Sequence, residues 1–306
     1  MGEAAEIWRG GVNTWECDEM GHMNVRFYVA RAQEGLAGLA RLLGMPRAFA
    51  PGCATLIVRE HHVRFLREAR PGTALHMTGG VVRLGESDAL ILQVLTHSRT
   101  GEPCATFLTR VAHTTADGRV FPWSPGARQA AKALTVEVPP HAAPRGIDPS
   151  RPPPDASLAR ADALNLTCIG RGALSDAECD VFGRMRAEQF IGRVSDGVPS
   201  LLAGVREAVA ASAPERPRRV GGAVLEYRLI YLDLPKAGDH IEVRSGLAGF
   251  DDKTQRLAHW LLDPVGGGAW GVSEAVAINF DLDARKAIPI ASETKAALEQ
   301  FVVRGL

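Results

Sequence analysis

The chain has no net charge of either sign: 35 Lys and Arg balance 35 Asp and Glu over 306 residues. No global field draws it to nucleic acid or to an anionic membrane surface, and neither partner is expected. No run of 18 apolar residues occurs, so no membrane-spanning helix is expected. The opening MGEAAEIWRG is acidic and lacks an apolar h-region, which makes the cytoplasm the expected location. Cysteine is scarce. Cys17, Cys53, Cys104, Cys168 and Cys179 are odd in number with no C-x-x-C spacing, which argues against a disulfide framework and a zinc site. His61-His62 is a strand pair without a third ligand at useful spacing, and neither metal nor cofactor is expected. The rest, 46% apolar and 23% charged, is ordinary globular composition, and the length suggests about two domains of ~150 residues.

One stretch organises the chain. After Asp18, His22 and Asn24, the residues Val25, Tyr28, Val29, Ala32, Leu36, Leu39, Ala40 and Leu43 recur at i, i+3, i+4 spacing, one apolar helical face. Gly44 and then Pro46 supply the stop. The polar residues therefore sit at a helix start, where free N–H groups and the helix dipole can hold a carbonyl oxygen that is gaining negative charge. Gly35 and Gly38 each cost roughly 1 kcal/mol against Ala inside a helix. Their presence predicts that another backbone lies close against this helix.

The run Asp18-Glu19-Met20-Gly21-His22-Met23-Asn24, with an aromatic at Tyr28 and a carboxylate at Glu34, resembles the signature of the hot-dog-fold acyl-CoA thioesterases, the 4-hydroxybenzoyl-CoA thioesterase superfamily. The resemblance implies an α+β fold in which a curled antiparallel sheet wraps a central helix. It also implies an acyl-CoA substrate, CoA entering only as part of substrate and product, and Asp18 as the catalytic carboxylate. In that family two units join edge to edge, with active sites at the interface.

A strand is expected at Ile7–Asn13, then the helix, then strands near Leu56–Arg67, Thr73–Leu84, Ala89–His97 and Cys104–Thr115, separated by Gly, Pro, Asp and Ser turns. Consecutive strands with short turns pair antiparallel. Nine of the nineteen prolines lie between Pro122 and Pro154, marking a linker with one short helix near Ala127–Ala133. The pattern then restarts. Cys179-Asp180-Val181-Phe182-Gly183-Arg184-Met185-Arg186 aligns with Cys17 to Asn24 at a constant offset of 162, and Glu226 to Tyr231 tracks Glu60 to Phe65. The expected organisation is an N-terminal hot-dog domain (1–135) with the intact motif, a Pro-rich linker (136–164) and a C-terminal hot-dog domain (165–306) with a degenerate motif. An intrachain pseudo-dimer with continuous sheets is expected, and a homodimer of chains is open. Pro199 is expected to split the second helix after Ser195.

Several readings remain open at this level. Asp18 is either the catalytic carboxylate or a helix cap. His22 either orients Asp18 or substrate, or ties the loop to backbone. Asn24 positions water or the thioester oxygen, or caps the helix. Glu34 assists a water or is a solvated face. Gly21, Met23 and Tyr28 are candidate substrate contacts through the family motif. Arg59, Arg64, Arg184 and Arg186, with Arg67, are either solvated surface or contacts to the CoA phosphates, which suit the guanidinium fork. Two guanidiniums beside Asp180 would make that carboxylate a poor base. Gly266 to Gly271 formally matches G-x-G-x-x-G but opens no helix, and Gly85 to Ala89 only approximates a nucleophile elbow. Both read as hairpin turns.

The leading function is acyl-CoA thioester hydrolysis with Asp18 as base or nucleophile. A non-catalytic acyl-CoA-binding module is one rival. An enoyl-CoA hydratase on the same fold needs Asp and His five positions apart, whereas Asp18 and His22 are four apart. An acyl-ACP thioesterase is the third, since plant members also resemble tandem hot-dogs and both carriers present the same pantetheine arm.

Overall fold

The computed structural model describes residues 4–212, 220–281, 283–284 and 286–306; the first three residues of the acidic opening stretch lie outside it. Two compact units result. One comprises the chain up to Pro144 together with Ser175–Ile191, and the other Arg145–Leu174 together with Gly192–Leu306. The division falls at Pro144, inside the stretch read as linker, and assigns the second motif to the first unit.

In the first unit, β1 (Ala5–Gly11) leads into α1 (Val25–Leu42), followed by β2 (Thr55–Phe65), β3 (Ala74–Leu84), β4 (Asp88–His97), β5 (Pro103–Thr114) and the short α2 (Pro125–Ala133). The strands pair antiparallel in the order β1-β3-β4-β5-β2. The predicted apolar face of α1 is the core: Val29, Ala32, Leu36, Leu39 and Ala40 are fully buried, with Val63, Leu75, Met77, Ile91, Leu95 and Phe107 from the strands. A Cβ on Gly38 would lie 2.0 Å from the Ile7 carbonyl oxygen, so α1 does rest on a backbone, that of β1. Gly35 faces the Met77 and Gln93 side chains instead.

The second unit contains α3 (Leu158–Ala163), β6 (Thr167–Ala173), most of α4 (Ala187–Ser212), β7 (Val220–Tyr231), β8 (His240–Phe250), β9 (Thr254–Leu262), β10 (Ala269–Asp281), β11 (Lys286–Ala287) and α5 (Ser292–Glu299). Its order is β7-β10-β9-β8-β6, the same topology, with β11 on β10. β1 and β6, the two 3-10 turns at Thr14–Glu16 and Asp176–Glu178, and the starts of α1 and α4 all keep the offset of 162. The expected break at Pro199 does not occur, and α4 runs through it as one helix. Proline removes a single amide donor, and Pro199 is exposed, so the freed carbonyl side can be solvated while Val194 and Val205 stay buried. Among the described residues no helix is long and apolar enough to cross a membrane.

The proline-rich stretch is fastened at both ends rather than free. Val136 and Ala142 pack with Leu92, and Arg64 Nη1 donates to the Ala143 carbonyl at 2.7 Å. Further on, the Arg145 and Gly146 N–H groups donate to the Glu226 carboxylate at 2.9 and 2.7 Å, and Arg228 donates to the carbonyls of Pro149 (2.9 Å) and Arg151 (2.8 Å).

Each unit buries one histidine completely. His61 lies between Gln33 and Thr109 at 3.0 Å each, and His259 lies 2.8 Å from Ser245 Oγ. Burial holds both rings neutral and pushes their pKa values down to about 3, from 6.5. Below pH 6.5 the unfolded chain binds protons that these folded sites refuse. The contribution is therefore intact above that pH and is lost as pH falls toward 3, by up to about 1.4 kcal/mol per pH unit per ring. Urea midpoints should drop between pH 7 and pH 5, and His259→Asn should show a smaller drop than wild type.

Candidate functional site

The Asp18 turn is built from its own backbone. A 3-10 turn closed by reciprocal Asn13 and Glu16 bonds leads in, Cys17 and Met23 form an isolated bridge, and Asp18 N–H donates to the His22 carbonyl at 2.9 Å. Gly21 has φ +75° with open space around a would-be Cβ, so its backbone conformation rather than packing requires glycine. Asp18 Oδ1 accepts from the Met20 N–H (2.9 Å) and the His22 N–H (3.2 Å). No described residue hydrogen-bonds Oδ2, and the side chain is half-buried. One oxygen is thus structural and the other open.

Asp18 is not the cap of α1. That role belongs to Asn24, whose Oδ1 accepts the Arg26 N–H at 3.0 Å. With the Phe27 N–H donating to the Asn24 carbonyl (2.9 Å), the Val25 N–H is the amide of the first turn with no acceptor among the described residues. The buried His22 ring places Nε2 3.1 Å from Glu68 and 3.3 Å from Arg70 Nη2. Met23 is buried with its N–H on the Ala69 carbonyl at 2.8 Å. Tyr28 is also buried; its hydroxyl accepts the Ala69 N–H (3.2 Å), its ring meets Phe65 edge-on at 5.2 Å, and burial, with smaller contributions from nearby acids including Asp18, raises its pKa.

Glu34 is exposed and held by Trp8 Nε1 and Arg31 (2.8 Å), while Arg31 also pairs with the buried Glu16 and lies over the Trp8 ring. Arg64 is committed to the Ala143 carbonyl, and Arg67 pairs with Glu102 at 2.7 Å. Arg59 sits at a bulge in β2 with no ion-pair partner among the described residues. Cys17, the one cysteine beside the motif, has its thiol pKa raised by burial and then by the Asp18 and Glu16 charges, the reverse of an activated nucleophile. Among the described residues no cluster of three or more His, Cys, Asp or Glu is arranged to hold a metal ion.

The second motif repeats the turn. Asp180 Oδ1 accepts from Phe182 (2.8 Å) and Arg184 (3.0 Å), Gly183 has φ +75°, and Cys179 bridges Met185. The difference is at Oδ2, which faces Arg184 Nε at 3.4 Å, with that guanidinium buried and stacked on Phe182. The expectation that both arginines flank Asp180 holds for Arg184 only; Arg186 bonds the Ala177 carbonyl and lies 3.4 Å from Glu188.

Three features escape the sequence. Glu68 lies 46 positions from His22, in a loop without a motif. Glu188, at the start of α4, belongs to the same compact unit as the Asp18 turn; burial raises its pKa, Arg186 and Arg26 oppose this, and Glu34 adds to it. Beneath α1, Gln93 donates to the Ala32 carbonyl (2.7 Å) and accepts from Thr109 (3.1 Å), extending the His61 and Gln33 network. The sequence marked His61 only as half of a strand pair, because its partners Gln33 and Thr109 come from α1 and β5.

The sequence model of the thioesterase-like superfamily matches residues 12–146 and 175–298. No curated protein matches the chain. Among solved structures it is similar to a putative oleoyl thioesterase from Lactobacillus plantarum, at 11% identity over 90% of this chain and 96% of that one, TM-score 0.65. A 12:0-ACP thioesterase from Umbellularia californica gives 12% identity, 89% and 93% coverage and TM-score 0.65. An acyl-ACP thioesterase from Bacteroides thetaiotaomicron gives 8%, 88%, 96% and 0.65. At these identities the likeness is one of fold, the tandem hot-dog expected from the repeat.

Proposed function

Because the chain belongs to the thioesterase-like superfamily and is a thioester hydrolase, we propose that its substrate is an acyl-CoA and that the Asp18 turn carries the reaction. The observation that supports this most is the division of labour within one carboxylate: Oδ1 is locked by two amides while Oδ2 is open. Oδ2 either takes a proton from the water that adds to the acyl carbon, or attacks that carbon itself and gives a mixed anhydride that water then opens. In both routes the carbon–sulfur bond breaks and the thiol, with an ordinary pKa near 8.5, leaves as thiolate without a general acid. The Val25 N–H and the dipole of α1 stabilise the oxyanion. Glu68 holds the His22 ring beside the turn as a positioning residue. Of the arginines considered as phosphate contacts, Arg59 has no ion-pair partner among the described residues and is the candidate for a CoA phosphate.

Thiol release from a chain-length panel of acyl-CoAs, each with its acyl carrier protein counterpart, tests the reading. At least one acyl-CoA should be hydrolysed, and Glu68→Ala should lower kcat/KM about 10-fold through lost orientation while Tm stays within about 2 °C. Turnover of carrier-protein thioesters alone would move the substrate to that class, and silence on both would remove Asp18 from the role.

A further inference from the structure

The second unit contains a cavity of about 410 Å³ that the Asp18 chemistry does not use. Leu201, Leu202 and Val205 of α4 form one wall, and Leu247 and Leu257, directly opposed on β8 and β9, form the floor. Phe301 and Arg304 of the C-terminal segment also line it, as do the polar Asn165, Thr167 and Gln300. That segment is fixed in place: Val303 N–H donates to the Leu247 carbonyl at 2.9 Å, and Val302 bridges the same residue. The fixed segment carries Arg304, an exposed guanidinium with no carboxylate partner among the described residues. The aliphatic floor and wall, with polar groups and an exposed guanidinium in the same lining, suit an unbranched chain ending in an anion. The volume falls in the lower part of the roughly 300–1,000 Å³ range of small-molecule sites.

We propose that this cavity binds a free aliphatic carboxylic acid, its chain against the leucines and its carboxylate on Arg304. Such an acid is the class of product released by thioester hydrolysis, but the site is separate from the Asp18 turn and its occupancy needs no turnover. Calorimetric titration of the full chain with octanoate, decanoate and dodecanoate tests it, with dodecanol as the uncharged arm. Affinity should rise about fourfold per methylene. Arg304→Gln should weaken dodecanoate about 10-fold, the low end for a charged hydrogen bond at an exposed position, and leave dodecanol unchanged. Leu201→Trp, which fills the cavity, should abolish both. Arg304→Gln lies at the surface and keeps the test valid if the tryptophan variant misfolds. No saturable binding, or dodecanoate affinity unmoved by Arg304→Gln, would overturn the proposal. Equal loss of dodecanol and dodecanoate in Arg304→Gln would also overturn it, by removing the carboxylate contact.

Discussion

Asp18→Asn is expected to lower acyl-CoA turnover by at least about 100-fold, the lower end for loss of a general base, whereas Asp180→Asn should stay within a few-fold of wild type. The comparison is clean because asparagine keeps an acceptor oxygen. At position 18 it can still receive the Met20 and His22 amides that Oδ1 holds, so the turn persists and only the open oxygen, now an amide nitrogen, changes chemistry. Position 180 has the same two amide bonds, but its second oxygen already faces Arg184 at 3.4 Å. An oxygen that faces a guanidinium is not open to a water or an acyl carbon, so its removal should cost little turnover. Circular dichroism should show both variants folded. Half the activity in each single variant, with loss only in the double, would establish two equivalent sites.

The repeat and the turn were legible because both depend on local chain chemistry. A left-handed glycine, an aspartate two residues before the amide it accepts, and a fixed spacing to an apolar helix are written in consecutive letters, and the offset of 162 returns as matching strands, 3-10 turns and helix starts. Glu68 and Glu188 were not legible, since their value lies in what tertiary folding brings to them: His22 for one, and Arg26 and Glu34 for the other. The fate of Arg186 turned on a choice among nearby acceptors, in which the Ala177 carbonyl and Glu188 take the guanidinium that spacing alone would give to Asp180. At Pro199 a local rule met a tertiary one. A proline interrupts one bond of a helix, but burial on either side holds α4 in register.

The largest stability effect is expected from Gly38→Ala, at a cost of about 2–3 kcal/mol in urea denaturation, although the same change in an isolated helix would gain about 1 kcal/mol. A Cβ there would stand 2.0 Å from the Ile7 carbonyl oxygen and 2.9 Å from its carbon. That obstacle is backbone, and β1 is paired with β3 from Ala5↔Gly79 to Gly11↔Ala74, so it cannot retreat without breaking the register. Gly35→Ala should cost less, because its nearest neighbours are the movable ends of Met77 (2.5 Å) and Gln93 (3.0 Å). Gly197→Ala tests the second copy, where the Ile169 carbonyl oxygen would lie 2.4 Å away, and a loss like that at Gly38 is expected. Gly204, also inside a helix, has only Phe301 at 3.4 Å, an ordinary contact, so Gly204→Ala should be neutral or stabilising by up to about 1 kcal/mol. Wild-type stability in Gly38→Ala would mean that α1 does not rest on β1, and the position of Asn24 and the Val25 N–H at its start would have to be drawn again.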